Sequence, residues 1–595
     1  MDEFETGAPS PKKPIGKDEI RRATELLGKY RASKSNLEKR IVENQQWYRL
    51  RQWECLRKKK AQQIEPTSAW LFNTIANKHA DAMDALPAAA ILPREKGDVQ
   101  EAKLLSAIVP VVLDECDFEG VYAAVTDDKL IAGTGVYGVF WDAEALNGLG
   151  EIRIEQADAL NLYWESGVSD IQRSRNLFYV TGNDRELLEE RYPQLRGKLS
   201  AAAMEAARYL GEEVEDRSEK CTVVDWYYKK RVGGRNVLHY CKFVSGLDEP
   251  LFATENEEEY RDKGWYAHGL YPFVFDPLFR SKGSPCGFGY VDIGKNTQEY
   301  IDRGDQAIMQ NMLFNCKPRH FIRNDGSVNE EEYGDLTKDF VHVDGALGQD
   351  SILPVRSNGL DGIYVTVLNN KIDELKETTG NRDVSAGGTT GGATAASAIA
   401  AMQEAGSKLS RDSTRGAYRA YKKVVLMVIE LMRQFYSLPR CFRITGGDFV
   451  SWSNAGLLPQ EDDLGLRLPV FDVEVTAVKA SPYSKMSQNE LALQFYSAGF
   501  FAPEKAEEAL ACIDMMDFER KELVVSKIQE NAAKFAEYEG LKNLAAQLAE
   551  RCGERELAAK LTGREGKSIR PAHADTGTGR TDRVRARVAE RTAPN

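Results

Sequence analysis

The spacing of apolar residues predicts helices at the start of the chain and strands after them. Apolar positions three to four residues apart are typical of amphipathic helices. Four segments show this spacing: 17–64, 70–87, 97–115 and 118–131. Alternation of apolar and polar residues is typical of half-buried strands. It occurs in four later segments: 134–142, 150–158, 176–182 and 222–244. This part of the chain is therefore expected to form a mixed α+β unit.

Helical spacing returns after residue 287. A helix is predicted over 288–317, ending before Pro318, and a second over 364–379, ended by Gly380 in the position of a C-cap glycine. Between them, short strands are predicted at 319–323, 340–344 and 351–356. The whole chain is therefore assigned to the α+β class.

A much longer helix is predicted next, from about Thr394 to Leu438. Gly406 and Gly416 are the positions where this helix would bend, because glycine weakens a helix locally. Strands at 441–446 and 470–478 follow, and then helices up to about residue 562. The tail 563–595 has few large apolar residues and is expected to be disordered.

The sequence GGTTGG, residues 387–392, precedes this long helix and resembles a phosphate-binding loop. A P-loop needs a strand before it and a Lys-Ser/Thr pair at its end, so that the lysine reaches the terminal phosphates. Here a predicted helix precedes the glycines, and no lysine follows before Lys408. The segment is therefore interpreted as a mobile connection between two helices.

A second glycine motif, GTGVYG at residues 133–138, matches the dinucleotide-binding pattern G-x-G-x-x-G. That pattern requires a strand before the glycines and a helix after them, whereas here the predicted order is reversed. We therefore interpret it as a tight entry into a strand. The six histidines and nine cysteines show no metal-ligand or catalytic spacing, so neither enzymatic activity nor a cofactor is expected.

Charge is segregated along a chain whose formal net charge is −12. Residues 17–60 contain fourteen lysines and arginines against six aspartates and glutamates, and 563–595 contain eight against four. The region between them, 61–562, consequently carries a net charge of −23. Tight DNA binding by counterion release would favour the opposite balance, so DNA contacts are expected to be light or local. No signal peptide and no membrane-spanning segment are expected.

The order of these elements, together with several local segments, resembles the portal proteins of tailed double-stranded-DNA bacteriophages. The resemblance covers roughly residues 35–540. The segments that carry it are LIAGTGVYGVFWD, GEIRIEQADALNLYWESGVSDIQRSRNLFYV, DELKETTGNRDVSAGGTTGGATAASAIAAMQEAGSKLSRDSTR and VIELMRQFY.

The resemblance implies a portal-like division of the chain. Its parts would be an N-terminal extension (1–34), wing (35–287), first stem helix (288–317), clip (318–358), second stem helix (359–380), tunnel loop (381–394), long helix and returning wing (395–480), helical crown (481–562) and basic tail (563–595).

The same resemblance implies a structural, non-enzymatic function in the virion. Portal subunits form a ring of about twelve, closed by a head-to-tail interface, around a channel for double-stranded DNA. Packaging by the terminase motor and later ejection would pass through this channel, and head-tail adaptor proteins would dock to it. The major capsid and scaffold proteins would be further partners. Assembly would occur in the host cytoplasm, without membrane insertion.

Candidate site residues follow from these assignments. The tunnel-loop residues expected to face DNA are Arg382, Asp383, Ser385, Gly387, Gly388, Thr389, Thr390, Gly391 and Gly392. The stem residues that are candidates for facing the channel are Lys371, Asp373 and Glu377. The clip residues that are candidates for terminase or adaptor contacts are Arg319, His320, Arg323, Asn324, Glu330, Glu331, Glu332 and Asp335.

Two other functions remain open at this point. One is a nucleotide-using cytoplasmic enzyme whose phosphate site is GGTTGG or GTGVYG. The other is a different phage adaptor ring, which would assemble similarly but lack two stem helices flanking a clip.

Overall fold

The computed structural model describes most of the chain in two compact units, Met1–Ala480 and Ser481–Asn595. The described residues are 15–56, 64–199, 220–316, 320–322, 329–335, 342, 352–354, 361–380, 408–444, 449–462, 465–479, 493–497, 499, 502, 505–514, 521–554 and 561.

Helices and strands are mixed along the first unit, as the α+β assignment predicts. The main helices of both units are α1 (Lys17–Tyr48), α2 (Gln52–Leu56), α3 (Trp70–Met83), α4 (Val99–Glu115), α5 (Phe118–Ala132), α6 (Arg185–Arg191), α7 (Tyr290–Cys316), α8 (Glu330–Gly334), α9 (Ile363–Thr379), α10 (Lys408–Phe435), α11 (Ala506–Asp514) and α12 (Lys521–Arg551).

The strands that the structure describes are all in the first unit. They are β1 (Ala85–Pro93), β2 (Thr134–Asp142), β3 (Glu151–Gln156), β4 (Leu162–Trp164), β5 (Asn176–Asp184), β6 (Lys220–Val232), β7 (Arg235–Val244), β8 (Pro250–Ala253), β9 (Phe273–Pro277), β10 (Phe279–Arg280), β11 (Gly287–Phe288), β12 (His320–Ile322), β13 (Ile352–Pro354), β14 (Arg440–Arg443), β15 (Phe449–Trp452), β16 (Gln460–Asp462), β17 (Gly465–Arg467) and β18 (Phe471–Lys479).

Two larger sheets organise these strands. A five-stranded antiparallel sheet has the order β4-β5-β6-β7-β8, with β6 and β7 joined at Gly233–Gly234 as predicted. A three-stranded sheet has the order β3-β2-β9, which confirms the predicted β2–β3 hairpin. The shared core lies beside the smaller sheet, where Phe118 of α5 stacks on Tyr137 of β2 and contacts Tyr421 of α10.

The long helix α10 is amphipathic and packs one face into this core. Val424, Val425, Val428 and Met432 are fully buried on that face. The described part of the helix runs without interruption through Gly416, so the predicted bend there stays a prediction. Gly406 lies outside the described residues.

The predicted helix 70–87 is wrong at its C-terminal end. The helix stops at Met83, and Pro87 lies inside β1. This strand pairs antiparallel with β18, from Ala85 opposite Lys479 to Pro93 opposite Phe471. Its partner is almost four hundred residues away in sequence, so the local alanine-rich pattern gave no sign of the pairing.

Gly133 and the glycines after it are explained by packing. Gly133 ends α5 with a positive φ of 88°, and β2 begins at the next residue. A Cβ on Gly135 would lie 2.2 Å from the carbonyl oxygen of Val125, and one on Gly138 would lie 2.4 Å from the Phe140 ring. The tight entry into a strand is therefore confirmed, and the chain's own atoms occupy the space beside these glycines.

The second unit contains helices, as predicted for 481–562. Helices α11 and α12 bury Ala506, Ala509 and Ile513 against Ile528. Among the helices that the structure describes in either unit, none is long and apolar enough to cross a membrane.

Candidate functional site: a helical hairpin and its base

Helices α7 and α9 pack side by side as an antiparallel hairpin. A Cβ on Gly294, near the start of α7, would lie 3.0 Å from Leu375, near the end of α9. Further along, the Lys371 ammonium is 5.9 Å from the centroid of the Tyr300 ring. A Cβ on Gly304 would lie 3.5 Å from Leu368. The residue numbers of the contacts therefore increase along α7 while those of their partners decrease along α9, which defines the antiparallel arrangement.

Gly294 allows the base of the hairpin to pack closely on α3. A Cβ at this position would lie 2.6 Å from Leu71 Cδ2, a separation that side-chain carbons do not reach. Leu71 and Leu375 are both fully buried there, in an apolar cluster that includes Trp47 and Ile301. The glycine therefore brings the backbone of α7 against α3 and α9.

A buried polar network fastens α7 to α2 and to the chain at the start of α3. Asp302 accepts hydrogen bonds from the Ser68 amide at 3.0 Å, from the Ser68 hydroxyl at 2.5 Å and from Gln52 Nε2 at 2.8 Å. One turn earlier, Gln298 Oε1 accepts from the Leu71 amide at 3.0 Å. Burial raises the pKa of Asp302, while the hydrogen bonds from Ser68 and Gln52 act in the opposite direction. The buried carboxyl group of Asp302 therefore has hydrogen-bond donors for both of its oxygens, and these bonds fix α7 in one position against the chain around α3.

The three predicted channel-facing residues lie between the middle and the C-terminal end of α9. Lys371 Nζ is 2.6 Å from Glu374 Oε2 on the same helix and also faces the Tyr300 ring of α7. Asp373 and Glu377 are exposed and one helical turn apart. The structure therefore brings the two acidic residues onto one exposed surface, whereas Lys371 lies at the contact with α7. Their orientation toward a channel stays a prediction.

The half of the hairpin away from this base exposes large apolar side chains. Each of these side chains is between 42% and 61% exposed: Met309, Met312 and Leu313 on α7, and Ile363, Tyr364, Val365 and Val367 on α9. Isolated exposed apolar residues are normal on a protein surface, but seven large ones within one half of a helical hairpin are typical of a protein–protein interface.

The predicted clip is described only in part. Strands β12 and β13 pair antiparallel, with His320 opposite Pro354. In the short helix α8, the Asn329 side chain caps the N-terminus, and Glu332 Oε2 is 2.9 Å from His342 Nδ1. Glu330 and Glu331 are exposed, and Asp335 follows the end of α8. Arg319, Arg323 and Asn324 lie outside the described residues.

The predicted tunnel-loop residues all lie outside the described residues as well. The chain is described up to Gly380, which ends α9 with a φ of 66° as the predicted C-cap glycine. It is described again from Lys408, the first residue of α10. The GGTTGG segment therefore lies between Gly380, at the end of α9, and Lys408, at the start of α10.

Two buried lysines contact the chain near these points. Lys78 of α3 places its Nζ 3.5 Å from the carbonyl oxygen of Gly380. Lys129 of α5 donates to the carbonyl oxygen of Ser413 at 3.1 Å and pairs with Asp276 of β9 at 2.8 Å. Both lysines and Ser413 line one small cavity, so the chain leaves α9 and enters α10 near the same place.

Sequence reasoning missed both lysines, although a signal was present. Lys78 follows Leu71, Thr74 and Ile75 at helical spacing, on the apolar face of α3. Lys129 follows Tyr122 and Val125 in the same way on α5. A lysine on the buried stripe of an amphipathic helix must find a partner, because an unpaired buried charge is costly. Such positions therefore predict a buried contact.

None of the described residues forms a cluster of metal-ligating side chains. A comparison with curated proteins gives no significant match. The family model described as Phage P22-like portal protein matches residues 30–269 and 363–560, which is well over half of the chain. The match includes α1 from residue 30 onward, α2 to α6, the five-stranded sheet, α9, α10 and most of the second unit. On this evidence, the chain belongs to the Phage P22-like portal protein family.

Proposed function

We propose that this protein is the ring-forming subunit of a phage portal vertex, with a channel through which double-stranded DNA is packaged and later ejected. The family to which the chain belongs is one of structural phage capsid proteins with a role in DNA packaging. The exposed apolar half of the α7–α9 hairpin is the observation that supports ring assembly. In a single chain those side chains face water, and a neighbouring copy would cover them.

The proposal assigns each region the part implied by the resemblance. Helices α7 and α9 are the stem, the segment between them is the clip that docks terminase and adaptor proteins, and residues 381–394 are the tunnel loop. Residues 35–287 and 395–480 are the wing, and residues 481–562 are the crown. Two features support the stem assignment in particular: the antiparallel packing of the helices, and the hydrogen bonds that Asp302 of α7 accepts from Gln52 and Ser68.

Ring closure requires a head-to-tail contact in which one surface of a subunit meets a different surface of the next. A hairpin with apolar side chains on both helices suits this geometry, because its two sides can pack on two neighbours. Burial of the exposed groups contributes about 25 cal/mol per Å² of apolar area. Repeated around a ring, this term stabilises the closed assembly.

Electron microscopy of purified protein, with views along any symmetry axis, tests the proposal. We expect rings of about twelve subunits, closed by a rotation axis, with a central opening that a DNA duplex can pass. Introducing charge on the hairpin, with Met309→Glu or Val365→Glu, should shift the protein from rings to smaller species. The matched control is Leu187→Glu on α6, where a leucine that is 66% exposed lies outside the hairpin.

Two results would contradict different parts of the proposal. Rings that persist in both hairpin variants would mean that this surface does not join subunits. Protein that stays monomeric at all concentrations, with and without scaffold protein, would contradict ring formation itself.

A further inference from the structure

The first half of α10 is strongly basic in an otherwise acidic region. Residues 408–423 contain six lysines and arginines and one aspartate, within a region whose net charge is −23. Arg411, Arg415, Arg419 and Lys422 follow one another at intervals of four, four and three residues. At about 100° of rotation per residue, all four fall within about 80° of the helix circumference. They therefore form one stripe along the helix.

This stripe is on the outer face of α10. All four side chains are exposed, whereas Ala417, Ala420 and Tyr421 on the opposite face are buried in the core. The helix is thus fixed by its apolar face, and the cations project from a rigid support. The stripe extends over about 16 Å, at 1.5 Å per residue.

A second element extends the positive surface. Arg280 of β10 lines an open cleft together with Arg419 and Lys423 of α10. The charges of Arg419 and Arg280 both act to lower the pKa of Asp276, which shows that the two arginines approach the same point from different parts of the chain. We call these six residues the basic surface: Arg280, Arg411, Arg415, Arg419, Lys422 and Lys423.

Nearby carboxylates are already engaged by other cations. Asp276 pairs with Lys129 at 2.8 Å. Asp472 pairs with Arg94 at 2.8 Å, although the charge of Lys422 also lowers the pKa of Asp472. Asp412 is an exposed acidic residue within the same helix. Within the part of the chain that the structure describes, no ion pair within 4 Å involves Arg415, Arg419 or Lys422. The charge of these three side chains is therefore available to an outside partner.

We propose that the basic surface binds the phosphate backbone of double-stranded DNA, in transient contacts that do not depend on base sequence. The proposal rests on the proposed function of a DNA channel. Each strand of a duplex carries one phosphate per about 3.4 Å of helix axis, so a stripe about 16 Å long can meet several of them. Arginine suits this role, because its guanidinium can donate two parallel hydrogen bonds to one phosphate. The acidic remainder of the region limits how tightly the duplex is held.

Salt-dependent DNA binding of the full-length protein tests this proposal. The probe is a short fluorescein-labelled duplex of arbitrary sequence, and the readout is fluorescence anisotropy between about 50 and 200 mM KCl. Arg415→Glu/Arg419→Glu should weaken binding and reduce the slope of log K against log salt by about 0.9 for each phosphate that the protein no longer neutralises. Arg415→Lys/Arg419→Lys should keep most of that slope.

The matched control is Arg231→Glu/Arg235→Glu. These exposed arginines lie near the turn between β6 and β7, and the variant changes the net charge by the same amount. The control should leave the slope close to that of the unmodified protein. Electron microscopy of every variant reports ring assembly separately.

Four outcomes would overturn the inference. The first is no DNA binding by the unmodified protein, and the second is an equal reduction of the slope in the control and in Arg415→Glu/Arg419→Glu. The third is loss of rings in the glutamate variant alone, which would assign the basic surface to contact with another copy. Rings that form normally while the salt slope stays unchanged would refute the DNA contact and leave the proposed ring function intact.

Discussion

Replacing Lys129 with methionine would remove one half of a buried ion pair while keeping most of the side-chain volume. The Lys129 and Asp276 side chains are 3% and 4% exposed, and their charged atoms are 2.8 Å apart. Burial raises the pKa of Asp276, and the Lys129 charge is the largest influence in the opposite direction. The variant therefore leaves a carboxylate inside the protein without its principal partner.

The expected loss of stability follows from this geometry. Removing one partner of a buried ion pair costs about 3 to 5 kcal/mol. Arg419 and Arg280 also act on Asp276 and offset part of the loss, so we expect a value near the lower end, about 3 kcal/mol. The carbonyl oxygen of Ser413 is also deprived of its donor, which contributes about 1 kcal/mol within that total.

The pH dependence has a definite sign. In the variant the pKa of Asp276 should rise further, so the folded protein binds a proton that the unfolded chain releases at the same pH. Stability then falls as pH rises from the unfolded carboxyl pKa, about 4, towards the folded pKa. The destabilisation of Lys129→Met should therefore be smaller at acidic pH than at neutral pH.

Urea denaturation followed by tryptophan fluorescence measures the effect, with the midpoint compared across pH. The control is Lys129→Met/Asp276→Leu, which removes both charges and replaces them with apolar side chains; leucine has the same branched heavy-atom skeleton as aspartate. We expect the double variant to recover most of the loss, because an apolar pair commonly replaces a buried ion pair at little cost. A loss below about 1 kcal/mol, or a double variant less stable than the single one, would refute the reasoning.

Three further predictions concern packing and buried charge. Gly135→Ala should destabilise the protein by about 3 kcal/mol or more, because its Cβ would lie 2.2 Å from the Val125 carbonyl oxygen. Gly28→Ala in α1, where nothing lies within 4 Å, should stabilise it by up to about 1 kcal/mol, and equal effects on the denaturation midpoint would contradict the packing argument. Burial raises the pKa of Asp128 to about 7, so stability should fall as pH rises from about 4 to 7; Asp128→Asn should flatten this dependence in thermal melts, and an unchanged profile would count against it. Burial lowers the pKa of Lys34 to about 8, so stability should rise between pH 8 and about 10; Lys34→Met should reduce that rise, and a rise of unchanged size would assign it to other groups such as Lys229, whose pKa burial also lowers to about 8.

Elements with a local cause were predictable from sequence. The end of α9 at Gly380 and the entry into β2 after Gly133 depend on glycine at positions of positive φ, which can be read from neighbouring residues. The hairpin of β6 and β7 depends on alternating residues and on two glycines at the turn. The fold class and the portal resemblance were both accessible for this reason.

Elements with a distant cause were not predictable in the same way. Strand β1 is an alanine-rich segment containing Pro87, and it becomes a strand because β18 supplies its hydrogen-bonding partners. At the candidate site, the position of Lys371 could not be inferred from α9 alone, because its contact with Tyr300 depends on how α7 packs. The basic stripe of α10 is an intermediate case. The spacing of its lysines and arginines is visible in the sequence, but their exposure depends on which face of the helix packs into the core.

The closeness of Gly380, at the end of α9, to Ser413 in the first turns of α10 has a consequence for engineering. Gly380 and Ser413 are approached by buried lysines that line one cavity, so the body of the protein presents a single attachment point for whatever is inserted there. Doubling the length of a flexible insert adds only about 0.6 kcal/mol of closure entropy when its ends are already held together. Segment 381–407 is thus a natural graft site, where inserts of other lengths and compositions can be exchanged while α9, α10 and the core between them keep their contacts.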